Sequence, residues 1–96
     1  PKTFTNQFNQ GLAYLLEGKK YEEAKKALES AAQLNEQDAS TYYVLGIVAS
    51  RTENDQELTK YLKKAFALKP VLKGKALKDA EFFKYLGKEP FIEALK

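Results

Sequence analysis

Residues 42–70 read YYVLGIVASRTENDQELTKYLKKAFALKP. Tyr42 is followed three positions on by Leu45-Gly46, then by Ala65 nineteen residues after the glycine and Pro70 five after that. Two apolar patterns at helical spacing flank the polar break Glu53-Asn54-Asp55, the mark of two helices folded against each other. A second version of the pattern lies upstream. Ala31 and Ala65 are 34 apart, as are Tyr21 and Asp55, and Leu34 and Leu68, while Gly11 and Gly46 are 35 apart. A repeat of this length means stacked helical pairs. Glycine inside a helix costs roughly 0.5–1 kcal/mol relative to alanine, so one kept at mid-helix marks a close approach.

Working outward, the apolar spacing predicts a first helix over Thr5–Glu17, with Phe4, Phe8, Leu12, Leu15 and Leu16 along its inner side. Gly18-Lys19-Lys20 reads as a turn. A second helix runs from Tyr21 to about Asn35, its stripe Tyr21, Ala24, Leu28 and Ala31 flanked by Ala27 and Leu34. Glu22 and Glu23 suit the positive end of its dipole. A third helix over Ala39–Thr52 follows a cap at Asp38 or Ser40, and a fourth covers Gln56–Lys69, closed by Pro70. Beyond Val71 the rhythm changes. A short helix around Val71–Leu77, one over Ala80–Leu86 capped by Asp79, and a last turn opened by Glu89-Pro90 are expected. Phe82, Phe83, Phe91, Ile92 and Leu95 are expected to point inward.

This pattern resembles the tetratricopeptide-repeat family, in which each repeat is a pair of antiparallel helices and small residues sit where the backbones come closest. Leu45 and Gly46 match the family's leucine and glycine in the first helix, Ala65 its second-helix alanine, and Pro70 the proline between repeats. Gly11, Ala24 and Ala31 are the corresponding packing positions of the earlier repeat. Leu58 stands where small alanine is usual, Ala49 where tyrosine is usual, and Glu36 where the inter-repeat proline is usual. The first turn carries one extra residue. The resemblance implies an all-α fold of antiparallel helix hairpins in a right-handed superhelix, with short C-terminal capping helices. One domain over residues 1–96 is expected, with repeat one at 5–38, repeat two at 39–70 and a helical cap at 71–96. Two repeats are few, since stacking needs about three to bury a continuous core, so the cap must cover the exposed end.

Composition narrows the function classes. The chain has 96 residues, no Cys and no His. That removes disulfides, thiolate chemistry, the commonest metal ligand and the side chain that titrates near neutral pH. Ser30, Ser40 and Ser50 therefore have no imidazole to activate them. The acids Glu22-Glu23 and Glu53/Asp55/Glu57 sit at predicted helix starts, where acids are expected for structural reasons. No glycine-rich phosphate loop and no zinc or calcium spacing occurs. Neither an enzyme nor a cofactor is expected. No run of about 18 apolar residues is present to span a membrane. The start at Pro1 without Met is expected of a processed product or a segment of a longer bacterial protein, and leaves both the cytosol and the periplasm open.

Family ligands lie in the concave groove lined by the first helix of each repeat. That register implies Phe8, Asn9 and Leu12 from repeat one and Tyr43, Val44, Ile47, Ser50 and Arg51 from repeat two. The lysine–asparagine–arginine clamp of chaperone-binding members is replaced by Phe8, Leu12 and Val44. The implied function is a protein–protein interaction or scaffold module that takes a partner's peptide or helix. The alternatives are a structural spacer or homodimer whose groove is filled by its own tail or a second copy, and a weak basic-surface binder of acidic partners. Net charge motivates the last: the chain carries +3, and seven lysines but no acid lie between Leu58 and Lys78. Those lysines come without arginine forks, which disfavours nucleic acid.

Overall fold

The computed structural model describes residues 2–96, and every element in it is helical. The order is α1 (Phe4–Glu17), α2 (Tyr21–Leu34), α3 (Ala39–Arg51), α4 (Asp55–Leu68), α5 (Leu72–Lys78), a 3₁₀ helix (Ala80–Tyr85) and α6 (Glu89–Leu95). Local chemistry sets the boundaries. Thr3, Asp38, Asn54 and Asp79 each accept a backbone N–H from the first turn that follows, at 3.0–3.1 Å. These are the side chains that satisfy orphaned helix donors best. Gly18 ends α1 in the left-handed region, at φ 75°. Glu53 takes the same conformation in the turn after α3, at φ 54°. Both stand seven residues beyond the helix glycine of their pair. Two residues then lead into α2 but one into α4, which places the extra residue between Gly18 and Tyr21.

The helices pack in sequence-adjacent pairs, α1 with α2 and α3 with α4, while α2 also meets α3. A Cβ on Gly11 would sit 2.5 Å from the Leu28 side chain, and one on Gly46 would sit 2.5 Å from that of Leu62. Each glycine is thus replaced in space by a leucine from its partner helix. Ala24, Ala31 and Ala65 are fully buried and Leu45 nearly so. Pro70 is exposed between α4 and α5, where it ends one helix without joining the packing.

The tail forms the third tier. The 3₁₀ helix lies against α3, and α6 lies along α4. Leu72, Ala76, Phe82, Tyr85, Phe91 and Ala94 join Leu58, Leu62, Ala65 and Phe66 in one core cluster. Phe82 sits at its centre, edge-on to Tyr43 at 5.6 Å between ring centres and stacked with Phe91 at 5.8 Å. Polar links between successive tiers recur at similar chain separations. Lys25 and Tyr61 reach Glu57 and Glu29 between α2 and α4, and Thr59 and Lys63 reach Pro90 O and Glu93 between α4 and α6.

Several residues expected inside face solvent. Leu16 is 87% exposed and Leu34 and Ile92 are also exposed. In α6 the inward line is Phe91, Ala94 and Leu95, which turns Ile92 away. Phe83 is 55% exposed for a different reason. The segment is a 3₁₀ helix rather than an α-helix, so residues three apart share a face. Phe82 and Tyr85 therefore point in together and Phe83 is turned a third of the way round. Among the described residues no helix is long and apolar enough to cross a membrane.

Two outcomes test this packing. Gly46→Leu should cost about 1–3 kcal/mol in urea unfolding, and clearly less in a Leu62→Ala background where the space is vacated. Equal costs in both backgrounds would mean that the contact does not limit stability. Removal of residues 71–96 should leave an unfolded or aggregated fragment, because Phe82 and Phe91 alone bring about 1.5–3 kcal/mol of burial each. A cooperative melt of residues 1–70 near the parent temperature would refute that dependence.

Candidate functional site

The groove residues suggested by the sequence divide into two groups. Phe8, Val44 and Ile47 are half-buried and pack on one cluster with Leu15, Leu45 and Val48. Leu12 is half-buried and Asn9 exposed. Phe4 stacks on Phe8 at 5.7 Å, which extends the apolar strip toward the start of α1. These residues remain accessible.

Tyr43 and Ser50 are buried and Arg51 is half-buried, and all three are engaged by contacts within the chain. The Ser50 side chain is fully buried and its Oγ donates to the carbonyl of Glu81 at 2.6 Å. Tyr43 is also buried, and its hydroxyl donates to Asp79 Oδ2 at 2.7 Å. Arg51 holds Glu81 in a two-pronged contact, with Nε to Oε1 at 3.0 Å and Nη2 to Oε2. Its Nη1 donates to the Leu15 carbonyl at 3.1 Å, near the end of α1. One guanidinium thus ties α1, α3 and the 3₁₀ helix together. Its pKa is raised, first by the hydrogen bond to Glu81 and against the effect of partial burial, so it stays charged. The physical cause of the filling is the run Asp79–Phe82. It offers a carboxylate, a carbonyl, a second carboxylate and an aromatic ring, and each is met by a residue of α3.

Asp79 and Glu81 contribute to this face without a sign in the helix register. Its sequence position marks Asp79 as a cap, which it also is, with Oδ1 accepting the Glu81 N–H at 3.0 Å. The available signal was α3 itself. Its apolar residues spread over two sides, as expected of a helix covered on more than one face.

Where the cap and α3 diverge, a hollow of about 240 Å³ remains, lined by Ser40, Val44, Ile47, Leu72, Lys75 and Asp79, with Tyr43 behind. Lys75 Nζ lies over the Tyr43 ring at 5.4 Å. The walls are apolar, and the rim carries one cation and one anion. That volume is below the 300–1,000 Å³ of typical small-molecule sites and suits one large side chain of a partner. Among the described residues no group of three or more His, Cys, Asp or Glu side chains is placed to hold a metal ion.

The hydroxyls that clasp one tier to the next have a common titration. Tyr43, Tyr61 and Tyr85 donate to Asp79, Glu29 and Asp55 at 2.6–2.7 Å. Burial raises the pKa of each, helped by the carboxylate, and Tyr85 is pushed up to about 12. An unfolded tyrosine ionises near pH 10, so above that pH the unfolded chain loses protons that the native chain retains. The stabilisation is complete below pH 10 and is lost as the pH climbs through the native values. Urea midpoints should therefore fall steeply above about pH 10, and less so in Tyr85→Phe. Identical slopes for the two proteins would show that this clasp carries no such linkage. Comparisons with protein-family models, with curated proteins and with solved structures each return no match for this chain.

Proposed function

We propose that this chain is a protein-interaction module of the tetratricopeptide kind, two helix-hairpin repeats and a helical C-terminal cap forming a right-handed stack. It holds an apolar segment of a partner protein on the α1/α3 face and performs no reaction of its own. One observation carries the reading: Phe8, Val44 and Ile47 pack half-exposed on one apolar cluster, and Val44 and Ile47 also line a hollow sized for one anchoring side chain. Extended and helical ligands both bind such surfaces through a few buried anchors, with the surrounding contacts excluding water. The Lys75 and Asp79 rim supports orientation of the partner's backbone or a polar flank. A groove shortened at its C-terminal end by the chain's own cap favours a short ligand over a long one.

A second reading is favoured by a specific observation. Tyr43, Ser50 and Arg51 are already satisfied within the chain, as expected of a spacer or homodimerisation module whose groove is filled internally. The two are separated by selecting a random peptide display library on the parent protein and on Ser40→Trp, which plugs the hollow from an exposed position. The interaction reading expects enriched peptides with a bulky apolar residue, whose synthetic forms lose about tenfold or more in affinity toward Ser40→Trp. Helix content by circular dichroism should be unchanged. No enrichment, together with a dimer by light scattering, would favour the internal-filling reading and remove the groove proposal.

A further inference from the structure

A second hollow of about 240 Å³ lies on another part of the molecule, where α4, α5 and α6 meet. Its lining is Phe66, Ala67 and Ala94 with Lys63, Lys73 and Lys96 around them. The floor is fixed by the core: Phe66 and Ala94 are buried members of the central cluster. The rim is cationic. Beside it the Glu93 carboxylate is shared by Lys63 at 3.2 Å and Lys96 at 3.6 Å. Those two ammonium groups hold the Glu93 carboxyl below the usual carboxylate range, with the Lys63 hydrogen bond the larger cause. Lys73 forms no ion pair among the described residues. Val71, two residues after Lys69 and two before Lys73, is 70% exposed. Toward the N-terminal ends of α4 and α6 the charge changes sign, with Asp55 and Glu89 lining a separate shallow hollow. The cationic region is therefore bounded.

We propose that this lysine-rimmed hollow docks an acidic segment of a partner protein, which seats one apolar side chain on Phe66, Ala67 and Ala94 and sets its carboxylates against Lys63 and Lys73. Charge complementarity identifies the occupant. Lysine ammonium groups on flexible stems accept carboxylates in varied geometry, and an apolar floor gives affinity that charge alone does not. Nucleic acid fits less well. The chain's single arginine, Arg51, is engaged with Glu81, and Phe66, the one aromatic lining the hollow, is buried, so the hollow presents no exposed ring face to a base. An anionic lipid surface is flat, whereas this floor is recessed. The surface shares no residue with the α3 hollow and does not depend on it.

Fluorescence anisotropy with labelled Asp/Glu-rich dodecapeptides centred on Leu, Ile, Phe or Ser tests the assignment. The variants are Lys73→Glu, Ala67→Phe, which fills the hollow and keeps every charge, Lys26→Glu as a distant charge control, and Ser40→Trp. Apolar-centred peptides should bind the parent more tightly than the Ser-centred one, and more weakly as salt rises. Lys73→Glu and Ala67→Phe should each weaken them about fivefold to tenfold, while Lys26→Glu and Ser40→Trp leave binding unchanged. The proposal is overturned if no apolar-centred peptide binds, or if Lys26→Glu weakens binding as much as Lys73→Glu. Capture of the parent by phosphatidylserine vesicles or duplex DNA, at a salt concentration where the peptides do not bind, overturns it equally.

Discussion

The architecture depends on two places where a helix backbone lies under a leucine of its partner. At Gly11 and Gly46 there is no room for even a methyl group beyond Cα, because Leu28 and Leu62 occupy it. A mid-helix glycine loses propensity and adds unfolded-state freedom. Here that loss is offset by burial of a whole leucine and by the closeness it permits along the rest of each pair. Fully buried Ala24, Ala31 and Ala65 keep the second helices close by the same means. Once the pairs are this close, their outer apolar faces must be covered by something, and α3 shows it most clearly.

The covering is done by an irregular tail, and irregularity suits the task. A full helix pair would bury one stripe against α3 and one against α4. The α5–3₁₀–α6 segment does this in fewer residues, with Phe82 between Tyr43 and Phe91 as the common contact. Its polar atoms are as well matched as its rings. Among the described residues, no buried side-chain nitrogen or oxygen lacks a partner. Unmatched groups at such a joint would cost more than the hydrogen bonds contribute, so a cap of this kind must be satisfied throughout or not form.

Periodicity made the helices and their pairing legible, since small residues at fixed intervals are a backbone-distance signal that survives without an alignment. The helix starts were readable to within a residue or two, from Asp38 or Ser40, from the polar break Glu53-Asn54-Asp55 and from Asp79. What could not be read was the choice between α and 3₁₀ geometry at Ala80–Tyr85, because Phe82 and Phe83 are both apolar and either turn buries one of them. That choice decides which aromatic is inside. The exposed face of α1 and α3 was half legible for a related reason: position on a helix face follows from spacing, but occupancy depends on what the tail brings. Ser50 reads as a polar groove residue until Glu81 supplies a carbonyl for it. Thr41, fully buried with its hydroxyl on Asp38 Oδ2 at 2.7 Å, carries no sequence sign of that burial.

The near-constant chain separation of the cross-tier links constrains how such a chain can change length. Lys25 to Glu57 and Glu29 to Tyr61 both span the turn between Leu34 and Ala39. One residue inserted there would rotate both pairs out of reach together. The Gly18–Tyr21 turn lies outside both of those spans, and of the bonds described above only Arg51 to Leu15 O crosses it. Drift in loop length is therefore cheapest at that first bend, which is also where the two pairs already differ by one residue.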